Sequence, residues 1–208
     1  MALVFEDGFA KTEAIAIPTL LEKLPPARPA ELHAAMIAKD VSGDHILATT
    51  VGRGQAAITL AETRPDAEVS LWFHDQYQQQ LVISAVQEFP ARLGLYCEAD
   101  APSSPHGGQY DLAVVPVSKS GDAEFTRDVL QTAFQALDVG GHLVAAVDNP
   151  QDKWLRSHLA ATGETVRVRP EASEKPTTVC YIVQKTRPLK KVRDFECKVV
   201  FRDRERLL

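Results

Sequence analysis

Two glycines, Gly52 and Gly54, stand where an apolar run, "HILATTV" (45–51), gives way to a helical pattern, "GQAAITLAE". Glycines at a strand-to-helix turn let the backbone approach a ligand and aim helix N-terminal N–H groups at an anion. An unliganded tight turn uses the same residues, so G-x-G alone is a weak signal. Further along, "DLAVVPVSKSGDAEF" (111–125) runs as a buried strand into a loop of Pro116, Val117, Ser118 and Lys119. That loop offers one hydroxyl and one ammonium to any chemistry. Ser118 lacks a Gly-x-Ser-x-Gly elbow, which argues against a hydrolase nucleophile. The six histidines are scattered singly and show no metal-ligand spacing, so no metal site is expected. "SPHGGQYD" (104–111) is glycine-rich but has no following Lys-Ser/Thr, and reads as a turn rather than a P-loop.

The elements that must position these residues alternate. After the first run and its helix come "EVSLWFH" (68–74), "QYQQQLVISAVQEF", "RLGLYCE" (92–98) and "YDLAVVPV" (110–117). "AEFTRDVLQTAFQAL" (123–137) places Phe125, Val129, Leu130, Ala133, Phe134 and Leu137 on one helical stripe. "GGHLVAAVD" (140–148) reads as the fifth strand, with Gly140 and Gly141 stopping the helix before it. "DKWLRSHLAATG" is a further helix, and "ETVRVRP" and "TTVCYIVQK" are two strands with no helix between them. Alternation of this kind predicts an α/β fold, a Rossmann-like, seven-stranded, mostly parallel sheet with helices on both faces and a terminal antiparallel hairpin.

The 208 residues suit one sizeable α/β domain. Cys97, Cys180 and Cys197 form an odd, widely spaced set that reads as reduced packing residues. With no secretory pattern at the N-terminus and no membrane-length apolar run, a cytoplasmic protein with no membrane contact is expected. Net charge is −5, yet residues 185–208 carry nine Lys/Arg against four acids. This basic tail, with Lys190, Lys191, Arg193, Lys198 and Arg202, suits a segment facing RNA or an acidic neighbouring domain.

The element order resembles that of the class I S-adenosylmethionine methyltransferases. The resemblance implies Gly52, Gly54, Asp75 and Asp100 as cofactor-binding residues: the glycines at the turn, Asp75 near the ribose, and Asp100 of "YCEADAP" near the adenine amino group. Two family carboxylates have no counterpart, since Thr50 stands two positions before the first glycine and Phe73 at the end of the second strand. Asp75 also suits a helix N-cap. A missing ribose carboxylate costs about 1.5–3 kcal/mol of binding, so S-adenosylmethionine, the family's cofactor, is expected to bind weakly if at all. Members that methylate exocyclic amines of bases carry Asn-Pro-Pro-aromatic after strand four, to aim the amine and stack the base. The counterpart here, Pro116 to Lys119, has neither the amide nor the ring, and no catalytic residue is expected.

From Tyr110 to Arg187, "DLAVVPVSKSGDAEFTRDVLQTAFQALDVGGHLVAAVDNPQDKWLRSHL" and "TTVCYIVQK" resemble the degenerate N-terminal half of the duplicated ribosomal RNA small-subunit guanine-N2 methyltransferases. The resemblance implies a non-catalytic domain that supports a C-terminal catalytic methyltransferase domain, touches ribosomal RNA indirectly, and joins its partner through "FECKVVFRDRERLL". The organisation expected is an N-terminal extension with a helix (1–40), a methyltransferase-like domain (41–187) and a basic strand or linker (188–208). Two alternatives stay open: an active methyltransferase with an atypical site using Ser118 or Lys119, and a scaffold associating through the alternating strand at 195–201.

Overall fold

The apolar runs become seven strands, β1 (His45–Thr49), β2 (Glu68–Trp72), β3 (Leu93–Tyr96), β4 (Tyr110–Val117), β5 (Leu137–Val147), β6 (Val166–Pro170) and β7 (Val179–Gln184). Between them run α1 (Pro29–Ala38), α2 (Gln55–Thr63), α3 (Gln76–Ala85), α4 (Ala123–Gln135) and α5 (Trp154–Ala160). The computed structural model describes residues 24–85, 89–105, 108–189 and 191–193. All seven strands join one sheet in the order β3-β2-β1-β4-β5-β7-β6. The pairs among β1 to β5 are parallel. β7 enters antiparallel between β5 and β6, as expected of two strands joined without a helix.

Both sheet faces are covered, and the strand residues sort by alternation. Ile46, Ala48, Leu112 and Val114 pack with α1 and α2, while Leu47, Ala113, Val115 and Leu143 pack with α4 and α5. α1 belongs to the first of these clusters: Ala30, Ala34, Ala35 and Ala38 are buried in it, so the helix preceding residue 40 shares the core of the α/β domain. Its small side chains let the helix lie close to the sheet. On the other face, Leu155 and Leu159 anchor the short α5 with no more than 1% exposure, contributing about 1.5–3 kcal/mol each.

One boundary differs from the sequence reading. α4 ends at Gln135, and β5 begins at Leu137 and runs through both glycines that were expected to stop the helix. Leu137 pairs with Tyr110 but His142 with Leu112, so β5 carries extra residues between the two pairs. Gly141 lies there against the backbone: a Cβ would come within 2.8 Å of the Asp111 carbonyl oxygen. Lys185 closes the neighbouring helix end. Its buried ammonium donates to the carbonyls of Gln135 (2.9 Å) and Leu137, and burial lowers its pKa. Among the described residues no helix is long and apolar enough to cross a membrane.

Candidate functional site

Open parallel sheets bind ligands beyond the carboxyl ends of their strands, where neighbouring connections diverge. Here β1 leads towards β2 and β4 towards β5, so that point falls between β1 and β4. Above it stand the Gly52–Gly54 turn and the loop after β4.

The glycine turn is held by Thr50. Its hydroxyl oxygen accepts the N–H groups of Gly52 (2.9 Å) and Gly54 (2.8 Å) and donates its proton to Glu31 (2.5 Å). A hydroxyl has one proton and two lone pairs, so Thr50 is fully used. Gly54 has φ +73° and precedes the first residue of α2; a side chain there would be strained and would collide with Leu71. Glu31 projects from α1 and is completely buried. Its carboxylate also accepts the N–H of Val51 (3.1 Å) and of Ala56 (3.3 Å), the second residue of α2. An acid from an N-terminal helix thus occupies the positive end of α2, the place the glycine turn would offer to an external anion. Burial raises the Glu31 pKa, against the lowering effect of these hydrogen bonds.

A second closure lies beside it. The His74 ring follows β2 and meets Trp72 edge-on at 4.2 Å and Phe125 at 5.0 Å between centroids. Phe125 belongs to the first turn of α4, which Asp122 caps by accepting the Phe125 N–H at 2.7 Å. Since β1 lies between β2 and β4 in the sheet, the His74–Phe125 contact spans the end of β1. Burial pushes the His74 pKa down to about 4, and its Nε2 has no hydrogen-bond partner. What remains between Thr50, His74, Val115, Ser118 and Phe125 is a cavity of about 90 Å³, against roughly 300 Å³ for the smallest usual ligand pockets. Phe125, expected on the buried stripe of α4, is instead 49% exposed, while Val129, Leu130, Ala133 and Phe134 are buried.

Pro116 and Val117 are the buried last residues of β4; past them Ser118 is half-buried and Lys119 exposed. Ser118 Oγ lies 3.2 Å from Ser120 Oγ. Lys119 stands between two clefts of about 300 and 460 Å³, shared with Asn149. The cleft carboxylates are engaged. Asp148 accepts the Ala30 N–H at the start of α1 (2.7 Å), and Asp152 accepts the Leu155 N–H of α5 (3.0 Å) and the Tyr181 hydroxyl.

Asp75 is exposed and accepts the Tyr77 N–H at 2.8 Å, capping α3. Asp100 is exposed on the loop after β3. Neither is hydrogen-bonded to the glycine turn. Of the tail cations, Lys191 and Arg193 are exposed, and the Gln131 amide clamps the Arg193 backbone, accepting its N–H (2.9 Å) and donating to its carbonyl (2.7 Å). Lys190, Lys198, Arg202 and the strand at 195–201 lie outside the described residues. No cluster of three or more metal-ligating side chains occurs among the described residues. Glu31, His74 and Phe125 had no signal as site residues in the sequence; the one hint was a lone acid at the start of an alanine-rich helix.

These residues do not fit S-adenosylmethionine. Its amino-acid carboxylate would compete with a buried Glu31 carboxylate for the same N–H groups, and its body would have to part His74 from Phe125.

No protein-family model and no curated protein sequence matches the chain. Solved structures resemble it in fold. An O-methyltransferase family protein from Burkholderia thailandensis superposes with a TM-score of 0.56 at 13% identity, over 75% of this chain and 56% of that one. A 16S ribosomal RNA N2-guanine methyltransferase from T. thermophilus, solved with AdoMet and guanosine, gives 0.56 at 17% identity, over 80% and 41%. A predicted O-methyltransferase from Agrobacterium tumefaciens gives 0.55 at 19%, over 75% and 80%. The chain spans about half the length of the first two. With the strand order, the antiparallel β7 and the glycine turn after β1, these likenesses make the fold the Rossmann-like α/β fold of the class I methyltransferases.

Proposed function

We propose that this chain is a non-catalytic methyltransferase-like domain of a ribosomal RNA guanine-N2 methyltransferase, supporting a catalytic partner domain and helping to present RNA. One observation carries the reading: the chain fills its own cofactor cleft, with Glu31 on the glycine turn and the His74–Phe125 contact across β1. The loop from Pro116 to Lys119 supports it, having neither a side-chain amide to orient an amine nor a ring to stack a base. The likeness to the T. thermophilus ribosomal RNA enzyme supports the choice of substrate class. The partner domain expected is a second α/β half bearing Asn-Pro-Pro-Phe.

Isothermal titration with S-adenosylmethionine tests the loss of cofactor binding. The expected result is no saturable heat up to about 1 mM cofactor, and no transfer of labelled methyl groups to ribosomal RNA by this chain alone. Micromolar binding by the wild-type protein, or methyl transfer abolished by Gly54→Trp, would establish an active enzyme and overturn the reading.

A further inference from the structure

Charge is unevenly spread over the sheet. Residues 24–122, which supply β1 to β4, hold six Lys/Arg against twelve Asp/Glu; residues 123–193, with β5 to β7, α4 and α5, hold eleven against eight. Within the second half, Arg127, Lys191 and Arg193 lie along the groove between α4 and α5. His158, Lys191 and Arg193 line it with Leu130 and Phe134. At its upper end the Arg127 guanidinium lies 5.5 Å from the Trp154 ring, and Trp154 stacks on His158 at 5.7 Å. Arg127 and Arg193 are both near enough to His158 to lower its pKa, after burial. Trp154, stacked on His158 of the groove, also borders the 300 Å³ cleft beside Lys119 at the carboxyl end of the sheet. Among the described residues, the acids along this path are Glu124, which pairs with Arg127, the exposed Asp128, and Asp152, engaged as the α5 cap.

A groove lined by cations with an aromatic ring exposed at one end suits a polyanion that also carries flat, stackable groups. Trp154 keeps 37% of its surface exposed beside Arg127. An acidic protein segment would use the cations and leave the ring idle; single-stranded RNA uses both. We propose that the α4–α5 groove is a single-stranded RNA track, in which Arg127, Lys191 and Arg193 hold phosphates and the exposed part of Trp154 stacks a base. The proposal deepens the RNA-presenting role given above and rests on it only for the choice of nucleic acid. It uses none of the residues that close the cofactor cleft, so failure of RNA binding and failure of the cofactor prediction are separate results.

The test is fluorescence anisotropy of a labelled mixed-sequence 12-nucleotide RNA titrated with the whole chain at several salt concentrations. Binding is expected with Kd of order 1–100 µM at low salt. K191E/R193E lowers affinity at least tenfold, and its two lost phosphate contacts flatten the log K against log salt slope by about 1.4. Trp154→Ala lowers affinity about tenfold at unchanged slope, since stacking releases no counterions. Trp154→Phe retains most of the binding, and Arg92→Glu, on the acidic half, changes nothing. No binding at about 100 µM protein in low salt, or binding indifferent to K191E/R193E, overturns the proposal. So does a result in which Trp154→Ala has no effect and a polyglutamate peptide competes as well as RNA; the groove is then a surface for an acidic protein.

Discussion

His74 makes the stability of this fold depend on acid in a way that one substitution should remove. Its pKa lies near 4 in the folded chain, against an ordinary 6.5, because burial disfavours the charged ring. Above pH 6.5 the imidazole is neutral in both folded and unfolded chains and contributes no pH dependence. As pH falls below 6.5 the unfolded chain takes up a proton that the folded one refuses, so stability is lost progressively until about pH 4. At 1.36 kcal/mol per unit, the loss at pH 4.5 is roughly 2–3 kcal/mol, with the lower end favoured because the ring is not wholly buried. For a domain of this size that corresponds to a fall in Tm of about 5–10 °C. His74→Phe keeps the edge contacts with Trp72 and Phe125 and removes an unpartnered buried nitrogen. The variant should match or exceed wild type at pH 7.5 and gain on it by roughly 2–3 kcal/mol at pH 4.5. Urea denaturation followed by circular dichroism at pH 7.5, 6.0 and 4.5 measures the difference directly. His33, His142 and His158 also have lowered pKa values, but they are common to both proteins and cancel in the subtraction. A wild-type-minus-variant difference that stays constant from pH 7.5 to 4.5 would refute the placement of His74.

Glu31→Ala leaves the N–H groups of Val51 and Ala56 and the Thr50 hydroxyl without their buried acceptor; urea denaturation should show a loss of about 1–3 kcal/mol, the cost of leaving buried donors unpaired. Because burial raises the Glu31 pKa, its own contribution runs opposite to that of His74, greatest below about pH 4.5 and falling as pH rises through the folded value. Gly54→Ala forces a side chain into the left-handed region and against Leu71, so Tm should drop by an amount equivalent to about 2 kcal/mol or more. In a C97S/C197S background, Cys180, fully buried with its thiol pushed up to about 12, should resist a thiol reagent at pH 8 until urea unfolds the chain.

The sheet was readable because its signals are local. Apolar runs separated by helical patterns set the parallel part, and the missing helix between residues 170 and 179 announced the antiparallel pair. Gly52 and Gly54 marked the turn for the same reason. The groups that close the site were hidden because their partners are remote in sequence. Glu31 meets the turn from 19 to 25 residues away, and its setting, "ELHAAMIAKD" (31–40), reads as an ordinary helix with apolar residues at helical spacing. Phe125 fits the 3.6-residue stripe of α4, but it lies in the first turn, beyond the carboxyl ends of the strands, where a stripe residue meets a loop side chain instead of the core. Gly140 and Gly141 were misplaced because a helix stop and a bulge require the same backbone freedom, and only pairing with β4 tells them apart.

The Gln131 amide, by presenting one acceptor and one donor to the Arg193 backbone, does for that segment what a neighbouring strand would do. Whatever pulls on the chain at residue 193 therefore loads α4, the same thirteen-residue rod whose opposite end seats Phe125 in the cleft. A single helix thus ties the segment at residue 193 to the ring contact beyond the end of β1, and displacing one would bear on the other.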